Sequence, residues 1–208
     1  MKTLSVSESQ KIAEKYGLKF AKSHTITTHE ELEKALSHFE FPIAMKIVSK
    51  KITHKSDAGG VKINIKSAKT AKTVFSEMKK LKGFEGILIQ EMIRGTEIII
   101  GGKRDVQFGP TVLVGLGGIY VEVFKDFQIG ICPIKKRDAH NMIKELKAYP
   151  ILKGIRGKKG INIKALEETI IKVSRMMQKE KNIEELDLNP VIATEKEIIA
   201  VDARIITQ

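Results

Sequence analysis

The chain has 208 residues, of which 42% are apolar, enough to bury a core in one medium domain or two small lobes. Its formal net charge of +12 favours an acidic partner: nucleic acid, an anionic membrane or a phosphorylated ligand. Aromatic residues make up 5% and Trp is absent, which argues against stacking platforms for single-stranded nucleic acid.

The N-terminal part predicts two short helices. Ser7 with Gln10 and Thr28 with Glu31 have the spacing of capping boxes, and the second helix is expected to end near His38. The first twenty residues lack the apolar core of a signal peptide, and no apolar run approaches the ~20 residues that span a bilayer. We therefore expect a soluble, cytoplasmic protein with no membrane partner.

Lys46 interrupts the apolar run from Ile43 to Val48, which predicts a buried strand. Strand side chains alternate between faces, so Lys46 shares its face with Ala44 and Val48. A lysine charge in apolar surroundings is costly unless an anion meets it. Two interpretations stay open: a lysine that extends to solvent at a strand end, or a ligand for phosphate.

The segment 61–66 alternates strictly, with Lys62 on its polar side, and predicts a half-buried antiparallel partner for the Lys46 strand. The link between the two strands is too long for a tight hairpin. It ends in Gly59 and Gly60, and glycines allow close backbone approach to a ligand.

His54 lies in this link beside Lys55 and Ser56. An imidazole with a pKa of ~6.5 is largely neutral, and so nucleophilic, at pH 7. Neighbouring cations would stabilise an incoming phosphoryl group. The alternative is an ordinary solvated histidine.

The middle of the chain predicts a helix after Ser67 and then two strands, 86–93 and 96–100, joined by a short turn that contains a glycine. Gln90 and Glu91 end the first strand, where backbone groups could read an adenine while Glu97 takes the ribose hydroxyls. A plain hairpin is the alternative.

A glycine-rich turn at 115–118 matches neither a dinucleotide fingerprint nor a P-loop. Glu122 follows it and is open to a structural or a functional role. Beyond it, 136–148 predicts a helix stopped by Tyr149-Pro150, and 163–178 predicts a longer helix.

Two strands are predicted near the C-terminus, and both contain acidic residues. Asp187 and Asn189 are two apart, so they project from the same strand face, and Asp202 lies in an otherwise apolar strand. Carboxylate and amide oxygens on adjacent strands suit a Mg²⁺ ion that bridges phosphates. The alternative is that these polar residues cap neighbouring backbone.

Several segments together resemble one family. They run from the Thr-His-Lys-Ser-Asp-Ala-Gly-Gly-Val-Lys loop through Gln-Glu-Met, Gly-Thr-Glu and Gly-Leu-Gly-Gly to Glu-Leu-Asp-Leu-Asn-Pro and Val-Asp-Ala-Arg. The chain resembles the β subunit of ADP-forming acetate–CoA ligase, an ATP-grasp protein related to the succinyl-CoA synthetase β subunit. The resemblance covers nearly the whole chain.

This resemblance implies an α+β ATP-grasp fold in which two lobes with mainly antiparallel sheets and flanking helices enclose a nucleotide. We expect an N-terminal helical extension at 1–20, a first lobe at 21–90 and a second at 91–208. The implied reaction is acyl-CoA + ADP + phosphate ⇌ carboxylic acid + CoA + ATP. An α subunit that binds CoA and carries a phosphohistidine would be the partner, in an α2β2-type complex.

The resemblance also assigns roles by position. His54 corresponds to a second phosphoryl carrier, Lys46 to the phosphate lysine and Glu97 to the ribose carboxylate. The remaining expected contacts are Lys62 for nucleotide, Gln90, Glu91 and Met92 for adenine, Asn189, Asp202 and Asp187 for Mg²⁺, and Lys55, Ser56, Gly59, Gly60, Arg104 and Glu122 for phosphate or the loop.

Two other functions remain open from the sequence. One is a different ATP-grasp ligase that uses an acyl phosphate without a phosphohistidine. The other is a basic protein that binds nucleic acid and catalyses nothing. The chain lacks the CoA-binding part of fused family members, so we expect no complete reaction from it alone.

Overall fold

The structure is a computed structural model and describes the chain in four stretches: residues 1–49, 59–118, 125–157 and 159–208. Two compact units divide it. The smaller unit comprises residues 21–93, and the larger unit combines residues 1–20 with 94–208. The first twenty residues are therefore part of the larger unit rather than an extension, and the second boundary lies at 93 rather than 90.

The smaller unit is a four-stranded antiparallel sheet in the order β2-β5-β3-β4, with helices α2 and α3 on one face. Phe75, Met45 and Leu32 are fully buried between the sheet and these helices. The elements are β2 (Ser23–Ile26), α2 (His29–Leu36), β3 (Ile43–Val48), β4 (Val61–Ile65), α3 (Ala68–Met78) and β5 (Gly86–Glu91).

The larger unit is built on a seven-stranded antiparallel sheet in the order β1-β11-β9-β6-β7-β8, with β10 paired to β9. Its elements are β1 (Lys2–Thr3), α1 (Val6–Lys15), β6 (Thr96–Asp105), β7 (Gly109–Leu116), β8 (Phe127–Ile131), α4 (Lys136–Lys144), α5 (Tyr149–Lys153), α6 (Ile163–Lys179), β9 (Ile183–Ala193), β10 (Ile198–Ala200) and β11 (Arg204–Thr207).

The two faces of the larger sheet differ. Ile98, Ile100 and Leu188 are fully buried on the face that α1, α4 and α6 cover. The other face, which we call the open face, carries side chains such as Ile129 and Ile131, which are 58% and 55% exposed. A groove of about 730 Å³ runs along this open face.

Helix ends follow local side-chain chemistry. The predicted box of Thr28 and Glu31 is present, and each side chain accepts from the other's backbone N–H. The predicted box of Ser7 and Gln10 is wrong, because Ser5 and Glu8 form the box of α1 two residues earlier. Both pairs begin with serine, and a glutamate accepts two donors better than a glutamine does.

Three other local predictions are also wrong. The strands β5 and β6 do not form a hairpin, because they belong to different sheets. The helix predicted at 136–148 ends at Lys144, and Tyr149-Pro150 begins the separate short helix α5, since proline fits the first turn of a helix. The alternation of β4 breaks at Asn64, whose φ of 59° lies in the left-handed region, and Ile63 is 65% exposed. Among the described helices, none is long and apolar enough to cross a membrane.

Candidate nucleotide and metal site

Lys46 lies in the middle of the smaller sheet. Its strand β3 pairs with β4 and β5, and Lys46 is opposite Val61 on one side and Leu88 on the other. The neighbouring Met45 and Ile47 are fully buried, whereas Lys46 is half-buried. Because strand side chains alternate, the ammonium is on the face away from α2 and α3. There it can meet an anion without crossing the apolar core.

The link between β3 and β4, which carries the predicted phosphate contacts, ends in a hydrogen bond to β3. The carbonyl of Gly60, which is buried, accepts the N–H of Ile47 at 2.7 Å. Gly59 is exposed and has a φ of 70°, a conformation that glycine adopts without strain. Lys62 follows on β4 with an exposed side chain. In the register of β3 and β4, Val61 is opposite Lys46 and Lys62 is opposite Met45. The Lys62 side chain therefore starts on the other face of the sheet from Lys46, and the register does not bring the two predicted cations together.

The predicted adenine segment leaves the smaller sheet at the end of β5. Gln90 is 3% exposed. The carboxylate of Glu91 accepts the N–H of Lys22 at 2.7 Å, and the Glu91 N–H donates to the Lys22 carbonyl at 3.0 Å. The Met92 sulfur lies 2.9 Å from the backbone nitrogen of Asn64. The Glu91 side chain thus secures the residue before β2 to the end of β5.

Glu97, the predicted ribose ligand, is exposed near the start of β6 and touches the glycine-rich turn. Its carbonyl accepts the N–H of Gly117 at 2.8 Å. Gly118 has a φ of 62°, and a Cβ there would lie 2.6 Å from Glu97 Oε2. Sequence reasoning treated 115–118 as an ordinary turn. The two adjacent glycines were evident in the sequence, but their proximity to Glu97 follows from the pairing of β6 with β7.

Asn189 lies on β9, whereas Asp202 lies in the link between β10 and β11 and not within a strand as predicted. Asn189 is exposed on β9, and Asp202 is half-buried just before β11. The N–H of Val201 donates to the Pro190 carbonyl at 2.9 Å and fixes the two segments side by side. Asp187 lies two residues earlier on β9 and projects from the same face. The three predicted metal residues are therefore neighbours.

The charges around Asp187 indicate where a cation would bind. Burial raises the pKa of the Asp187 carboxyl, Arg204 opposes this rise, and the nearby charges of Asp202 and Glu185 add to it. A divalent cation would relieve the repulsion between these carboxylates. No group of three or more His, Cys, Asp or Glu side chains in the described stretches is placed to hold a metal. The set of two Asp residues and one Asn fits Mg²⁺, which takes oxygen ligands and usually keeps water or phosphate as well.

Arg104 is not part of this set. Its guanidinium donates to the carbonyls of Met177 at 2.9 Å, Glu180 at 3.2 Å and Ile183 at 3.2 Å. These are carbonyls at and just beyond the C-terminus of α6, where a cation also meets the negative end of the helix dipole. The contact of Arg104 with phosphate that we predicted is therefore corrected to a structural role.

Four predicted residues cannot be placed. His54, Lys55 and Ser56 lie between the first two described stretches, and Glu122 lies between the second and the third. Their roles remain predictions.

Comparison with known proteins decides the family. The model of the ATP-grasp domain matches residues 1–207. The β subunit of ADP-forming acetate–CoA ligase I from Pyrococcus furiosus is 44% identical over 207 residues, which cover 96% of this chain and 89% of that subunit. This chain belongs to the ATP-grasp family, among the β subunits of ADP-forming acetate–CoA ligases. The predicted family and fold are confirmed.

Other ATP-grasp relatives add structural detail. One is acetyl-coenzyme A synthetase 1 of Candidatus Korarchaeum cryptofilum, solved with coenzyme A, Ca-AMPCP and HgCl+. It is 40% identical to this chain with a TM-score of 0.93, and the match covers 100% of this chain and 94% of that one. A second structure of that protein holds coenzyme A and Mg-AMPPCP, with the phosphohistidine segment pointing towards the nucleotide-binding site; its TM-score is 0.89 at 40% identity, covering 100% and 93%.

A longer relative shows the same domain in another setting. ADP-forming acetate–CoA ligase I of Archaeoglobus fulgidus is 38% identical over 207 residues, which cover 96% of this chain but 30% of that protein. The ATP-grasp part thus occurs both as a separate β subunit and as one part of a longer ligase.

Proposed function

We propose that this chain is the nucleotide-binding subunit of an ADP-forming acyl-CoA synthetase that makes ATP, acid and CoA from acyl-CoA, ADP and phosphate. The observation that carries the proposal is the match over 89% of a separate β subunit. Acetate is the proposed acid, because the Pyrococcus and Archaeoglobus relatives are both named acetate–CoA ligases.

The phosphate and metal roles follow from charge and position. Lys46 binds the phosphates through its ammonium group, and Asn189 and Asp202 hold Mg²⁺, with Asp187 beside them. Mg²⁺, when bound, neutralises negative charge on the phosphates. Phosphoryl transfer depends mainly on positioning and charge neutralisation, which is what these side chains supply.

The nucleoside roles fall to the segment that ends β5 and to the start of β6. Backbone groups at Gln90, Glu91 and Met92 read the adenine edge, and the Glu97 carboxylate accepts the ribose hydroxyls. The absence of a side chain at Gly118 leaves the space that the Glu97 carboxylate occupies, and the Gly117 N–H is bonded to the Glu97 backbone carbonyl.

His54 is proposed as the relay. It accepts a phosphoryl group from a phosphohistidine on the partner and passes it to Mg-ADP, helped by Lys55 and Ser56. Gly59, which is exposed and has a φ of 70°, gives the end of this loop backbone freedom, next to Gly60, whose carbonyl is bound to Ile47. In support, the phosphohistidine segment of the Korarchaeum protein points towards the nucleotide-binding site in the structure with Mg-AMPPCP.

The partner is an α subunit that binds CoA and the acyl group, and the proposed assembly is α2β2. The existence of relatives in which this domain is part of a longer ligase supports such a partner. Light scattering of the purified complex would distinguish α2β2 from a single αβ pair.

Asp202→Asn tests the proposed chemistry. ATP formation from acetyl-CoA, ADP and phosphate is measured with the α partner present. Loss of one charge from the metal site should lower the rate about 100-fold, by analogy with removal of one electrostatic group from an active site. Glu77→Gln, an exposed site on α3, is the control and should keep the wild-type rate. A wild-type pair that makes no ATP would refute the function, and an unimpaired Asp202→Asn would refute the assigned metal role.

A further inference from the structure

Arg204, the first residue of β11, lies on the open face next to the candidate metal residues. Its neighbours Ala203 and Ile205 are 2% and 0% exposed. Because both neighbours are buried, Arg204 projects from the opposite, open face; Asp202 precedes it by two residues, in the link that follows β10. Arg204 is exposed and lines the open-face groove. In the antiparallel register it is directly opposite Asp187 of β9.

The register of three strands sets the order of these groups along the open face. Asp187 is opposite both Arg204 on β11 and Gly101 on β6. Glu97 precedes Gly101 by four residues, which is about 13 Å along a strand. Asn189 lies between these two levels. Along the open face, Glu97 therefore comes first, Asn189 second, and Asp187 with Arg204 third.

This order matches the order of chemical groups in a nucleotide. A ribose held by Glu97 and phosphates held at Asn189 and Asp202 would direct the terminal phosphoryl group along the face towards Arg204. Beyond Arg204 the open-face groove continues, and it leaves room for a donor to approach from the side opposite the nucleoside.

The guanidinium of Arg204 is available for a further anion. In the described stretches no carboxylate oxygen lies within 4.0 Å of it, whereas Lys103 on the same face pairs with Glu185 at 3.4 Å. With their ordinary charges Asp187, Asp202 and Arg204 sum to −1, and a bound divalent cation would change this to +1. The site would then attract a phosphoryl group, and the Arg204 guanidinium can donate hydrogen bonds to its oxygens.

We propose that Arg204 contacts the phosphoryl group during its transfer between phosphohistidine and nucleotide; the inference rests on the proposed function. In the transfer to ADP, the N–P bond of the phosphohistidine breaks and its electron pair stays on the imidazole nitrogen. An oxygen of the ADP β-phosphate forms the new P–O bond. The ring leaves neutral when its other nitrogen carries a proton. The planar guanidinium donates to two oxygens of the phosphoryl group and stabilises their charge.

The test compares Arg204→Gln and Arg204→Lys with Arg175→Gln, the same change at an exposed arginine on α6, which packs on the other face of the sheet. Calorimetry gives the dissociation constants for Mg-ADP and Mg-ATP, and rapid quenching gives the rate of ATP formation with the α partner. We expect Arg204→Gln to weaken Mg-ATP about tenfold or more, as loss of a charged hydrogen bond does, and to leave Mg-ADP within about twofold. Transfer should slow by a factor of about 100 to 1,000.

Arg204→Lys should restore part of the Mg-ATP affinity, and Arg175→Gln should match the wild type. An Arg204→Gln protein with wild-type Mg-ATP affinity and wild-type transfer rate would overturn the inference. Equal weakening of Mg-ADP and Mg-ATP would also overturn it, because Arg204 would then act on the nucleotide as a whole. A wild-type chain that binds neither nucleotide would overturn the proposed function itself.

Discussion

Asp126 is buried beside the start of α5, where its two carboxylate oxygens accept the backbone N–H groups of Lys147 at 2.9 Å and Ala148 at 2.8 Å. A carboxylate at this position satisfies donors that a helix leaves unpaired and also meets the positive end of the helix dipole. Asp126 therefore has a structural role.

Replacing Asp126 with Ala should lower the free energy of unfolding by about 1–3 kcal/mol, because the buried N–H of Ala148 and the part-buried N–H of Lys147 lose their acceptor. Urea denaturation measures the change, and Mg-ADP affinity should stay at the wild-type value. A variant as stable as the wild type would show that water replaces the carboxylate without cost.

Tyr16 gives a stability change at high pH. Burial, followed by the hydrogen bond that its hydroxyl donates to Glu180 at 2.8 Å, raises the pKa of Tyr16 to about 12 from an ordinary 10.0. The folded chain thus holds this proton more tightly than the unfolded chain. The stabilisation is fully present below pH 10 and is lost as the pH rises through 12.

The measurement is the difference in unfolding free energy between the wild type and Tyr16→Phe. That difference should favour the wild type at pH 9 and should shrink between pH 10 and pH 12. A difference that stays constant across this range would mean that the hydroxyl is not coupled to folding.

At the scale of elements, the turn after β7 and the start of β6 form one functional unit. Gly118→Ala places a Cβ within contact of Glu97 Oε2 and also imposes a left-handed φ on alanine. Because the carboxylate is the flexible end of a side chain, we expect it to move away. Mg-ADP affinity should then fall about tenfold, the loss expected for one charged hydrogen bond.

A double-mutant cycle separates this mechanism from general damage to the fold. If Gly118→Ala acts through Glu97, the substitution should cost little further affinity in a Glu97→Ala background. Losses that simply add would show that the glycine serves the nucleotide site by another route. Thermal unfolding of each variant reports the accompanying loss of stability.

Elements set by local chemistry could be predicted from the sequence. The Thr28 box and the Ser67 cap are present, and the helix expected at 163–178 is Ile163–Lys179. The separation of β5 from β6 could not be predicted, because a glycine turn between two apolar runs has the same local pattern in a hairpin and at a boundary between units. The early start of α1 was missed because two serines compete for the same cap.

At the scale of the whole molecule, the family resemblance was the strongest predictor of fold and function. Strand alternation alone placed Asp187 and Asn189 on one face. Arg204 and the proximity of Gly118 to Glu97 escaped prediction, because each depends on the pairing and register of strands, which the local sequence pattern does not give. The first twenty residues were assigned to an extension for the same reason: β1 pairs with β11 at the other end of the chain.

The account depends on one chemical event, the passage of a phosphoryl group from a histidine to ADP on this chain. The α partner is labelled with ³²P at its phosphohistidine and mixed in a single turnover with excess of this chain and Mg-ADP. Labelled ATP should appear at the rate of steady-state turnover. His54→Asn, which lacks the proposed relay, should not form it. Label that remains on the partner when wild-type chain and Mg-ADP are both present would contradict the account.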